Sequence, residues 1–182
     1  QHVSFAYPEA GENVLTDISF KAKKGQTIAV IGSTGSGKST LINLIPRYYD
    51  VTKGSVKVDG VDVRDMTQKE LRDKLGYVPQ KGVLFSGTID SNIRYGKPEI
   101  TDAQVKEAAE VAQATEFIDT KPEKYESPVS QGGTNVSGGQ KQRLSIARAI
   151  AKDPEIFIFD DSFSALDFKT DSQLRKALKE YT

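Results

Sequence analysis

The sequence predicts an α/β domain with a parallel-sheet core, an antiparallel β lobe on its N-terminal side and a helical lobe over residues 82–140. Three observations carry that prediction. The apolar run Thr27-Ile28-Ala29-Val30-Ile31 reads as a buried strand ending in a glycine-rich loop, after which Leu41, Leu44, Ile45 and Tyr48 fall at helical spacing. Ile156-Phe157-Ile158-Phe159, apolar at every position, reads as a central parallel strand covered on both faces. Between them the capping-box pattern, Thr followed three residues later by Glu or Gln, occurs at Thr67/Glu70 and Thr101/Gln104 and starts two helices.

In chain order, Val3-Ser4-Phe5-Ala6-Tyr7 alternates, a polar turn runs from Pro8 to Glu12, and Ile18, Phe20 and Ala22 alternate again, so antiparallel strands are expected before Gly25. After the glycine-rich loop and its helix, Ser55 to Val63 reads as a hairpin, its valines on one side and Asp59-Gly60 as the two-residue turn. The Thr67 helix carries Leu71 and Leu75 and leads into a short strand, Gly76-Tyr77-Val78-Pro79, with Gln80 at its end. Val105, Ala108, Ala109 and Ala112 mark one face of the Thr101 helix. A polar stretch from Lys121 to Thr134 leads into Ser137-Gly138-Gly139-Gln140, where a helix striped by Leu144, Ala147, Ile150 and Ala151 begins, and Asp153-Pro154 ends it. Beyond Asp167, Leu174 and Leu178 indicate a last helix. A single domain over residues 1–182 is expected, with 1–81 and 141–182 forming the core and β lobe and 82–140 the helical lobe.

Composition excludes several classes. Lysine plus arginine number 25 and so do aspartate plus glutamate, giving a formal net charge of zero with no basic excess for nucleic acid. There is no cysteine, hence no disulfide framework or thiolate metal site, which suits a reducing compartment. Apolar runs such as Ile156–Phe159 are far shorter than the roughly 20 residues needed to cross a bilayer. No signal-peptide pattern is present and the first residues already read as strand, so the chain is expected to begin inside a longer polypeptide.

Chemistry concentrates in Gly32-Ser33-Thr34-Gly35-Ser36-Gly37-Lys38-Ser39-Thr40, which fills every fixed position of the phosphate-loop pattern G-x-x-x-x-G-K-[ST]. A triphosphate needs inward-pointing N–H groups on a loop without obstructing side chains, and Gly32, Gly35 and Gly37 supply one. Lys38 can reach the outer phosphates and the Ser39 hydroxyl can ligate Mg²⁺. Asp160, closing an apolar strand well downstream, is the carboxylate expected to hold the same ion, and Asp161 could orient or deprotonate the attacking water. Ser137-Gly138-Gly139-Gln140 opens a helix without bulk and offers a second anion-binding terminus.

The order of these motifs resembles the ATP-binding cassette (ABC) ATPases, whose signature Leu-Ser-Gly-Gly-Gln stands here as Val136-Ser137-Gly138-Gly139-Gln140. The loop at Gly32–Thr40, Gln80, the signature, Ile156 to Asp160 and Ser164-Ala165-Leu166-Asp167 follow the family's order along the whole chain. The resemblance implies a P-loop NTPase (RecA-like) core binding ATP and Mg²⁺, Tyr7 stacking on adenine, Gln80 reaching the metal and the attacking water, and Asp167 touching the phosphate loop of an opposing domain. It also implies that two such domains face head to tail, each ATP lying between one chain's phosphate loop and the other's Ser137–Gln140. Phe85-Ser86-Gly87-Thr88-Ile89, Asn92-Ile93 and Tyr95-Gly96 look like the exporter branch, in which the region around residues 80–96 meets the coupling helices of a transmembrane domain. An ATPase driving export at the cytoplasmic face of the cell membrane is therefore expected. A soluble ABC ATPase working on nucleic acid or ribosomes, and a nucleotide-gated dimerisation module with little hydrolysis, are the alternatives.

The sequence departs from the family at three places. Asp161 stands where active members usually carry glutamate, which implies a weakened site and a heterodimer with a second, different nucleotide-binding chain. Gln131 replaces a glutamate usual in exporters, and the chain stops at Thr182 before the position of the family's switch histidine.

Overall fold

The computed structural model describes residues 1–181, which gather into two compact units, Gln1–Leu75 and the residues from Gly76 onward. The expected lobe of 82–140 lies wholly within the second unit.

In the first unit β1 (Val3–Phe5) and β2 (Leu15–Ile18) pair antiparallel, Val3 opposite Ile18 and Phe5 opposite Leu15. Pro8 pre-sets the turn after β1, which closes through Ala10 N–H to the Tyr7 carbonyl with Glu9 at φ 67°. β2 ends earlier than the alternation to Ala22 predicts: β1 offers only three residues to pair with, and Phe20 beyond the ladder is exposed. The ladder's inner side, Val3, Phe5 and Leu15, closes on Leu44 after α1 (Lys38–Asn43). Tyr48, expected on the same helical stripe, is exposed because α1 stops after six residues.

The run Thr27–Ile31 corrects the sequence expectation. Among the described residues no strand pairs with it, and its side chains are exposed, Ile31 at 93%. Apolar composition favours a strand, but a ladder forms only where a neighbour supplies partners for the N–H and C=O groups, and none does here.

The hairpin forms as expected in its turn and only partly in its faces. β3 (Lys57–Val58) and β4 (Val61–Asp62) flank Asp59 and Gly60, both at positive φ, as the turn type demands. Val58 and Val63 are buried, whereas Val61, expected beside them, is exposed next to the turn. Asp62 then caps a 3₁₀ turn, Val63–Asp65, by accepting the Arg64 N–H. Thr67 and Glu70 form the predicted capping box of α2 (Gln68–Asp73), which buries Leu71.

In the second unit β5 (Leu75–Val78) pairs with β8 (Ile156–Phe159). Only Ile158 of β8 is fully buried, since β5 is its one strand neighbour among the described residues. The helical lobe holds α3 (Ile89–Ile93), α4 (Asp102–Val111) and α5 (Thr115–Asp119), with a two-stranded ladder of β6 (Gly87–Thr88) and β7 (Pro128–Val129). Thr101 and Gln104 box α4, and Val105, Ala108, Ala109 and Ala112 are buried as their spacing predicts. α6 (Gly138–Ala151) runs through the core against α3 and α4, burying Leu144, Ala147, Ile150 and Ala151. α7 (Phe168–Tyr181) adds Leu174 and Leu178.

Candidate functional site

In the phosphate loop, Gly35 and Gly37 adopt φ of +81° and +87°, a region a side chain rarely enters. A Cβ on Gly37 would also come within 3.0 Å of the Leu15 side chain. Lys38 folds back so that Nζ donates to the carbonyls of Gly32 and Ser33, both at 2.7 Å, which sets an ammonium into the loop. Ser36 N–H closes the loop onto the Ser33 carbonyl at 3.2 Å. Gly37 starts α1 without a side-chain cap, so the positive end of the helix backbone faces into the loop.

Tyr7 is joined to the end of this loop. Its hydroxyl lies 2.9 Å from that of Thr40, which is buried, and its ring meets Phe5 and Tyr49 edge to face at 4.9 and 5.3 Å. One fixed aromatic therefore sits beside the loop's last hydroxyl. Tyr49 was not legible as part of this group, because nothing in the sequence separates it from Tyr48.

The second unit joins two of the predicted residues, Gln80 and Asp161, directly. Gln80 donates from Nε2 to Asp161 Oδ2 at 3.1 Å. Asp160, the residue before it, is held in the β5–β8 pairing through its N–H to the Val78 carbonyl at 3.0 Å. Asp161 turns the chain away at φ 46°, a left-handed conformation aspartate tolerates. The signature is a helix start: Ser137 Oγ accepts the Gln140 N–H at 3.2 Å and Gln140 Oε1 accepts the Ser137 N–H at 3.1 Å. Space is open where a Cβ on Gly138 would stand, and a Cβ on Gly139 would lie 3.4 Å from the Ala165 carbonyl, so the signature adjoins the 164–167 segment.

Asp167 is engaged within its own chain. Its carboxylate accepts the Thr170 N–H and hydroxyl at 3.0 and 2.7 Å at the start of α7, and these bonds hold its carboxyl below the usual carboxylate range. Sequence reasoning missed Gln142 and Arg148, polar residues on the inner side of α6. For Arg148 a signal was present, since it follows Leu144 of the predicted stripe by one helical turn.

The donor types present suit Mg²⁺ held with a triphosphate better than a metal held by protein ligands alone. Among the described residues no group of three or more His, Cys, Asp or Glu gathers around a point. Ser39 and Asp160 belong to different units, and a hydroxyl and a lone carboxylate are donor types that Mg²⁺ accepts alongside phosphate oxygens and water.

Comparison with known proteins identifies the family. The sequence pattern of the ABC transporter family matches residues 15–164. YgaD of Bacillus subtilis (strain 168), which carries the name multidrug export ATP-binding/permease protein, is 48% identical over 178 residues, covering 98% of the chain and 31% of its own length. A Staphylococcus aureus (strain NCTC 8325 / PS 47) protein with the same type of name is 47% identical over 177 residues, again 31% of its length. The chain thus spans about a third of the curated relatives it matches. The solved structure of a bacterial Atm1-family ABC exporter with ATP bound superposes with a TM-score of 0.93 at 38% identity, over 98% of this chain and 31% of that one. A phosphate loop, a signature capping its helix and paired acids after an apolar strand, in a chain this similar to those proteins, mean that it belongs to the ABC transporter family.

Proposed function

We propose that the chain is the ATP-binding and ATPase part of an exporter at the cytoplasmic face of the cell membrane. The observation that carries this is the phosphate loop, with Lys38 Nζ held at two loop carbonyls and Tyr7 tied to Thr40. Lys38 and the loop N–H groups from Gly32 to Thr40 bind the triphosphate, Tyr7 stacks on the base, and Ser39, Gln80 and Asp160 ligate Mg²⁺. The ion neutralises phosphate charge when bound. Residues 1–81 and 141–182 act as the catalytic core, and 82–140 as the lobe that meets a transmembrane partner around residues 80–96. Ser137–Gln140 and Asp167 serve the ATP of a second nucleotide-binding domain arranged head to tail. The names of the relatives, which couple ATP binding with permease and export, support this reading over a soluble ATPase. Titration with a fluorescent ATP analogue tests it: Lys38→Ala is expected to abolish tight binding, and unchanged affinity overturns the assignment.

A second reading is favoured by Asp161, whose carboxylate is one methylene shorter than glutamate and already holds Gln80. A water-activating carboxylate must come within about 2.6–3.2 Å of the water, and a retreat of about 1 Å can cost about a hundredfold. The chain's own ATP then turns over slowly, and a different partner chain supplies most of the hydrolysis. In the complete assembly Asp161→Asn is expected to change steady-state ATPase by less than about twofold. Loss of all turnover in that variant would instead establish two equal sites.

A further inference from the structure

α6 is fastened along its inner side to the segment 79–95. Gln142, 1% exposed, donates from Nε2 to the Pro79 carbonyl at 3.0 Å. Further along the helix, Arg148 donates to three oxygens of the same segment: Nη1 to the Val83 carbonyl at 2.9 Å, Nε to the Asn92 carbonyl at 2.8 Å and Nη2 to Asn92 Oδ1 at 2.9 Å. Asn92, itself buried, accepts the Phe85 N–H and donates to the carbonyls of Phe85 and Thr88, each at 2.9 Å. The guanidinium lies 5.2 Å from the Phe85 ring and 5.4 Å from the Tyr95 ring, which stack on each other at 4.1 Å. Beside the Gln142 anchor the backbones come close: a Cβ on Gly82 would lie 2.8 Å from the Lys141 carbonyl.

Arg148 is an expensive way to hold a loop if holding it is unimportant. Among the described residues no carboxylate pairs with it, and burial pushes its guanidinium down to about 10. The cost of a charge drawn out of water without a counter-ion is offset here by three oriented oxygens and two ring faces, which a planar fork satisfies and a lysine ammonium does not.

We infer that Gln142 and Arg148 are positioning residues that make α6 and the segment 79–95 a single rigid piece. One end of that piece is Ser137–Gln140. The others are Gln80, beside Asp161, and the exposed ring pair Phe85 and Tyr95. Resting on the proposed function, in which the first end meets nucleotide and the ring pair meets a membrane partner, displacement of the signature is delivered to the aromatic surface without intervening slack. Coupling of this kind needs an element that both ends bias, and the two fastenings define it.

The test is hydrogen exchange on the complete membrane protein carrying this chain, in lipid nanodiscs, with and without MgATP plus vanadate. Without nucleotide, Arg148→Lys is expected to raise amide exchange across 83–95 about tenfold or more while 138–151 keeps its protection. With nucleotide, 138–151 still responds in the variant, but the accompanying response at 83–95 in the unsubstituted protein is lost. A merely structural role would instead loosen both peptides together. Gln142→Met, which removes the other fastening, is expected to do the same at 79–85 and decides the matter if Arg148→Lys does not fold. Unchanged exchange in 79–95 without nucleotide, or a response there that follows 138–151 as fully as in the unsubstituted protein, overturns the inference. Absence of any nucleotide response at 138–151 in the unsubstituted protein counts against the proposed function alone, and the nucleotide-free comparison still decides the fastening.

Discussion

Asp62 shows how one side chain sets a response to acid. It accepts the Arg64 backbone N–H at 2.9 Å and faces the Arg64 guanidinium at 2.8 and 3.0 Å, and these bonds, the guanidinium's foremost, hold its carboxyl down at about 2 against an ordinary 3.8. A carboxyl lowered on folding contributes stability that is complete above the unfolded value and is lost as pH falls toward the folded one. The native protein should therefore lose melting temperature between about pH 4 and 2, and Asp62→Asn should flatten that part of the curve in a thermal scan across pH. The Arg64 end of the pair is 41% exposed, so the effect is small and shrinks further in high salt. An unchanged acid slope in the variant would remove Asp62 from the account.

Among elements, two capping boxes with the same local chemistry differ in what surrounds them. Thr101/Gln104 starts α4 in the helical lobe, and Ser137/Gln140 starts α6 at the signature. Removing either hydroxyl leaves an N–H without its acceptor, at a cost of about 1 kcal/mol and a few degrees of melting temperature. Thr101→Ala and Ser137→Ala are accordingly expected to melt alike, while only Ser137→Ala cuts steady-state ATPase in the complete protein. Equal ATPase in the two variants would leave Ser137 as a cap and nothing more. Features closed within a few residues were legible in the sequence: the Thr67/Glu70 and Thr101/Gln104 boxes, the helix start at Ser137, the Asp59-Gly60 turn and the phosphate loop all depend on local hydrogen bonds or φ. Features that depend on a distant partner were not. Thr27–Ile31 has strand composition without a ladder neighbour, and β6 and β7, at two residues each, are too short to carry a period. Gln80 beside Asp161 unites positions 81 residues apart, which no local pattern reports.

For the whole molecule, the candidate residues are divided between the two units, the phosphate loop and Tyr7 in Gln1–Leu75, and Gln80, the signature and the acids in the unit from Gly76 onward. The signature's Gly138 presents open space, while Asp167 is spent on its own helix. If that open terminus completes a site in another chain, hydrolysis by the isolated 182-residue chain must depend on encounter. Turnover per chain is expected to be slow and to rise with concentration in a dilution series. Brisk turnover that stays proportional to protein down to nanomolar levels would show that one chain suffices.

The Tyr7–Thr40 hydrogen bond also has an optical meaning. The chain contains no tryptophan and seven tyrosines, so its intrinsic emission is that of phenols. One of these has its hydroxyl fixed by a buried partner and its ring flanked by Phe5 and Tyr49, beside the loop where a nucleobase would stack. If a base stacks over that ring, as proposed, its arrival is reported by the protein's own fluorophore, and the Tyr7→Phe difference spectrum isolates its share of the light.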